Sequence, residues 1–139
     1  MSSPIIPGFR YRDARRAIDW LCDAFGFERH VVYEGESGAI DHAQLTHGDG
    51  MIMLGSVRDD DFAHLYRAPV DAGGVTSSPY VIVDDVDAHA ERARAAGAEI
   101  VYGPEDQGYG GRLYTCKDLE GYVWHFGNHD PWEPIDGAE

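Results

Sequence analysis

The chain has 139 residues, of which 43% are hydrophobic and 12% aromatic, and it carries 25 acidic against 11 basic side chains, a formal net charge of −14. That hydrophobic content excludes a disordered chain, and the length fits one domain, or two small modules that must share a core because about 70 residues alone bury little apolar surface. The acidic balance argues against nucleic acid and anionic lipid as partners and favours cationic small molecules through long-range steering.

In chain order, a strand is predicted over residues 5–11, followed by Asp13 as a helix cap. Ala14, Ala17, Ile18, Leu21, Cys22 and Phe25 then fall on one helical face, and Gly26 ends the helix. Residues 27–34 read as a strand, Ser37-Gly38 as a turn, and residues 40–46 as another strand; Gly48-Asp49-Gly50 turns into a strand over 51–54. Residues 58–75 carry Asp59-Asp60-Asp61, Pro69 and Gly73-Gly74 and suit a linker.

A strand over 78–83 follows, and Asp85 caps a second helix whose inner side is Val86, His89, Ala90 and Ala93, up to Gly97. Residues 99–102 form a short strand and 104–111 a glycine-rich loop. Strands over 112–116 and 122–126 pair as a hairpin around Asp118-Leu119-Glu120-Gly121, and the tail from Asp130 is acidic, proline-broken and extended. No apolar run approaches the roughly 18 residues needed to span a bilayer. The first residues show no secretory pattern, and Cys22 and Cys116 lack metal-type spacing, so a cytoplasmic protein without a cofactor is expected.

The chain repeats itself. Phe9-Arg10-Tyr11-Arg12-Asp13, an alanine-rich helix and Gly26-Phe27-Glu28 return as Val81-Ile82-Val83-Asp84-Asp85, a second helix and Gly97-Ala98-Glu99, while Gly50-Met51-Ile52-Met53-Leu54 returns as Gly121-Tyr122-Val123-Trp124-His125. Asp13 and Asp85 lie 72 residues apart, and Gly50 and Gly121 lie 71 apart. Two strand-helix-strand-strand-strand modules follow: module 1 over about 4–57 and module 2 over about 76–129, with the linker 58–75 and the tail 130–139 around them.

The pattern resembles the vicinal oxygen chelate superfamily of glyoxalases, bleomycin-resistance proteins and extradiol dioxygenases. The resemblance rests on Arg12-Asp13-Ala14 with Phe25-Gly26-Phe27-Glu28, on Val83-Asp84-Asp85-Val86-Asp87-Ala88 with Ala95-Ala96-Gly97-Ala98-Glu99, and on Asp118-Leu119-Glu120-Gly121-Tyr122-Val123-Trp124. It implies an α+β fold of two βαβββ modules whose mixed sheet curls into a cup with helices outside, and commonly a homodimer. The family's four metal positions map to Ile6, Leu54, Ser78 and His125, of which only His125 is a strong ligand, so no metal site is expected.

Strand alternation then assigns the cup lining. Arg10, Ile52, Leu54, Tyr80, Val123 and His125 are predicted to point inward, with Phe9, Tyr11, Val81, Val83, Trp124 and Phe126 beneath the helices. His42 and Gln44 share a face that looks into the cup, and His42 with His125 forms a candidate proton-transfer pair. Ser78 joins the lining, and the glycine-rich loop brings Tyr109 and Arg112 over the rim as a flap. Trp132 is expected to pack on a neighbouring subunit or across a cup mouth.

The first functional expectation is a binder of a small organic molecule, a drug or metabolite, in the manner of the bleomycin-resistance proteins and antibiotic resistance, with no catalytic metal. The alternative is a metal-independent enzyme with His125 or His42 as general base and Arg112 or Tyr80 steadying an oxyanion. A metal-dependent glyoxalase-type lyase or dioxygenase is the third, chemically weakest because of the ligand positions.

Overall fold

The computed structural model describes residues 2–133, so the remainder of the predicted acidic tail lies outside the described residues. Asp13 accepts a hydrogen bond from the Arg16 amide at 3.1 Å and starts α1 (Ala14–Phe25), which Gly26 closes in the left-handed conformation at φ 82°. Asp85 does the same for α3 (Val86–Ala95) through the Ala88 amide at 3.0 Å. Both helices begin where a carboxylate satisfies an otherwise orphaned amide.

Around α1 stand β1 (Gly8–Tyr11), β2 (Glu28–Glu34), β3 (Ile40–His47) and β4 (Gly50–Ser56), in the sheet order β1-β4-β3-β2. Around α3 stand β5 (Tyr80–Ile82), β6 (Glu99–Asp106), β7 (Arg112–Lys117) and β8 (Val123–Gly127), in the order β5-β8-β7-β6. Each sheet is mixed: the first strand runs parallel to the last, and the other pairs are antiparallel. The predicted pair of βαβββ modules is the observed architecture.

The modules share one core. Tyr11, Leu21, Phe25, Leu45, Tyr114, Trp124 and Phe126 are buried in a single cluster to which both helices contribute. Phe9 stacks on Trp124 at 5.1 Å and Phe25 meets Phe126 at 4.6 Å, so aromatic contacts cross from one module to the other. A buried polar clamp reinforces them: Asp118 accepts from the Tyr11 hydroxyl at 2.5 Å and from the Trp124 indole at 3.0 Å. The Glu120 carboxylate also accepts the amides of Arg12 and Asp13 at 2.6 and 2.9 Å. Because one face of each sheet is spent on this core, the opposite faces stay open. Among the described residues no strand of one sheet pairs with a strand of the other.

Three expectations are corrected. Ile52 and Leu54 do not line an open face; they are 5% and 3% exposed, stand beside Leu45 and Ala43 and belong to the core. Met51-Ile52-Met53-Leu54 is apolar at every position, so alternation gave no phase, and counting from Gly50 chose the wrong one. β6 extends to Asp106, into the predicted loop, because bulges flanking Tyr102 leave Gly103 and Pro104 out of the ladder, where proline needs no amide hydrogen. The predicted linker holds a 3₁₀ turn (Ala63–Leu65) and a short helix α2 (Pro69–Ala72), with Pro69 in its first turn and left-handed Gly73 after it.

Candidate functional site

The parallel pair β5 and β8 sets Tyr80 beside His125. Trp124 and Phe126 point into the core, so His125 and Val123 face the open side, as do Thr115 and Lys117, their partners on β7. The His125 amide donates to the Pro79 carbonyl at 3.0 Å, which brings Ser78 over the imidazole. Ser78 Oγ lies 2.8 Å from Nε2 and Thr115 Oγ1 lies 2.8 Å from Nδ1. Partial burial lowers the His125 pKa below the ordinary histidine value, favouring the neutral ring. A neutral imidazole carries one N–H, so one hydroxyl donates to the ring and the other accepts from it.

Further along the same face lies a cavity of about 540 Å³ between α2 and the β7–β8 hairpin. Its apolar wall is made by Pro69, Val70, Val75, Leu119 and Val123, and Arg12 and Lys117 bring positive charge. Gly121, at φ 91°, makes the turn beneath it in the left-handed backbone conformation that favours glycine. Arg12 pairs with Asp71 of α2 at 2.5 Å and ties the connecting segment down.

The other predicted residues are dispersed. His42 accepts from the Gln44 amide nitrogen at 3.0 Å and stacks against Tyr33 on sheet 1, so His42 and His125 stand on different sheets with separate partners. Arg10 does turn away from the core, but Asp60 holds both its guanidinium nitrogens at 3.1 and 3.2 Å and Tyr66 lies under it at 4.3 Å. Tyr80 drapes over Gly127 and its hydroxyl donates to the His129 carbonyl at 2.6 Å.

Arg112 does not reach the open face. It shares the core side of β7 with Tyr114, where Asp87 of α3 and Asp106 bind it at 3.0 to 3.1 Å, so it steadies no oxyanion there. Tyr109 turns its ring edge to His129 instead of the cavity. Trp132 is 93% exposed, so among the described residues it does not pack across a cup mouth as expected.

The metal positions can be remapped from the pairing. Gly8 and Met53 pair in sheet 1 as Tyr80 and His125 pair in sheet 2, each 72 residues on, so the counterpart of His125 is Met53 and not Leu54. The Met53 amide donates to the Pro7 carbonyl at 2.9 Å, as His125 does to Pro79. Ile6, Met53, Ser78 and His125 supply one imidazole, a hydroxyl and a soft thioether, a donor set that does not fit a catalytic divalent ion. Among the described residues no group of three His, Cys, Asp or Glu side chains is placed to hold one.

Thr115, Lys117 and Met53 escaped the sequence reading. Lys117 had one available signal: it is the chain's single lysine against ten arginines.

Fold and open face together define a paired βαβββ protein with a recess of about 540 Å³ between α2 and the β7–β8 hairpin. The chain belongs to the Glyoxalase/Bleomycin resistance protein/Dioxygenase superfamily, whose family profile matches residues 7–126. The TioX structure from Micromonospora sp. ML1 is 35% identical, with a TM-score of 0.73 over 93% of this chain and 100% of that one. An uncharacterized Mycobacterium bovis protein, Mb0911c, is 33% identical over 119 residues, 83% of this chain and 76% of its own length. TnmS3 from Streptomyces sp. CB03234, described as an antibiotic binding protein, shares the fold at 21% identity and a TM-score of 0.63, over 91% of this chain and 96% of its own.

Proposed function

We propose that the chain binds a small organic molecule, a drug or metabolite, on the open face of module 2 and holds it without a catalytic metal. The observation that carries this reading is the cavity of about 540 Å³ on the same face as the Ser78–His125–Thr115 chain. That volume lies within the range of pockets that enclose small ligands, and a mostly apolar wall with a few polar groups is their usual make-up. The antibiotic-binding description of TnmS3 supports the same direction. Sequestration of this kind is a means of antibiotic resistance.

The working unit in this proposal is a homodimer in which a second copy covers the open faces. Tyr33, Tyr102 and Trp132 are 59%, 41% and 93% exposed, and in this proposal a partner copy buries them. Sedimentation at micromolar concentration tests the dimer; a monomer overturns it. Metal analysis of the purified protein with a thermal-shift screen of aromatic compounds tests the binder. Saturable stabilisation by such compounds without stoichiometric metal is the expected result, and tight metal with no binding overturns it.

One observation favours a second reading. A neutral imidazole held between two hydroxyls is arranged as a general base, so a metal-independent enzyme would use His125. In that case His125→Ala abolishes turnover with the fold intact, and an unchanged rate removes His125 from the mechanism.

A further inference from the structure

The chain's only lysine lies in the wall of the cavity between α2 and the β7–β8 hairpin. Lys117 stands beside Val123 in the β7–β8 register, on the open face, and among the described residues its nearest carboxylate oxygen, from Glu99, is 3.8 Å away, beyond hydrogen-bond length. Its ammonium therefore keeps donors to offer a ligand. Arg12 is the second cation in the wall. The one carboxylate there, Glu120, is already spent on the amides of Arg12 and Asp13.

A net charge of −14 suggests a cationic ligand, but charges more than about 8 Å away are screened at physiological salt. Inside the recess the nearby groups decide: Arg12 is held by Asp71 at 2.5 Å, whereas Lys117, with Glu99 at 3.8 Å, keeps hydrogen-bond donors to spare. Resting on the binder reading, we infer that this cavity takes an organic anion: an apolar ring body against Val70, Val75, Leu119 and Val123, with a carboxylate on Lys117.

The test uses the full chain and a panel of bicyclic and tricyclic aromatic carboxylic acids, each paired with its primary amide and its amine, titrated calorimetrically in low and high salt. The acids are expected to bind roughly tenfold more tightly than their amides, with the advantage shrinking in high salt. Lys117→Met, which keeps the aliphatic stem, erases the advantage, whereas Lys117→Arg retains it. A bound acid also slows acetylation of the Lys117 amine, read by peptide mass spectrometry. Amides or amines binding as well as the acids overturns the anion inference and leaves the binder reading standing. No binding by any member overturns both.

Discussion

Module 1 has Met53 where module 2 has His125, and the backbones around the two residues make the same bond, to the Pro7 and Pro79 carbonyls. Their open faces nevertheless differ. In module 2 the imidazole holds two hydroxyls and the face continues into a cavity, whereas in module 1 Arg10 is consumed by Asp60 and Tyr66. The repeated part is the part that folding needs, namely caps, core faces and register. The divergent part is the side-chain chemistry of the faces that folding leaves free.

The comparison assumes that two unlike modules form one cooperative unit, and Asp118 is where that is most easily broken. Asp118→Ala removes the acceptor of Tyr11 and Trp124 and strands both donors in the core, so a loss of about 3–5 kcal/mol is expected in urea denaturation. A loss under about 1 kcal/mol would show that the modules stand without the clamp.

Acid comes next. Burial lowers the pKa of both His89 and His125, and His89 is locked between the Tyr114 hydroxyl and the Phe25 carbonyl at 2.6 and 2.8 Å. With folded pKa values below the unfolded ones, the folded state binds fewer protons. Stability is full above about pH 6.5 and falls as pH drops through the folded values, by at most about 1.4 kcal/mol per pH unit for each histidine. His89→Gln should flatten the dependence of melting temperature on pH; an unchanged slope assigns it elsewhere.

A smaller effect tests the asymmetry directly. His125→Met makes module 2 resemble module 1 and should weaken binding of the aromatic panel by roughly five- to tenfold, with Met53→His leaving it nearly unchanged. Equal effects would mean that both faces bind. Tyr109→Ala, at a ring turned toward His129, should alter affinity by less than about twofold in the same titration.

The fold was legible because its signals are local and redundant: Asp13 and Asp85 at the helix starts, Gly26, and apolar faces at helical spacing. The site was less so. His125 and Ser78 could be placed through the repeat, but their mutual contact depends on which residue crosses the imidazole, which no spacing reports. Met53 was hidden by a run without alternation. Arg112 was misplaced because a glycine-rich loop gives no phase for the strand after it, and only the pairing of Tyr114 with Phe126 fixes which side is core. Trp132 is 93% exposed among the described residues, and no apolar periodicity around it marks a surface for it to pack on.

The clamp between Tyr11 and Asp118 also bears on how the chain is made. The phenol and its acceptor are 107 residues apart, so at usual elongation rates Tyr11 is synthesised roughly 5 to 20 s before its partner. During that interval α1 has its cap and its strands but lacks Trp124 and Phe126, the rings that cover Phe25. The first module is thus born as a sticky half-core, and nascent chains stalled before the last hairpin should be the forms that chaperones hold.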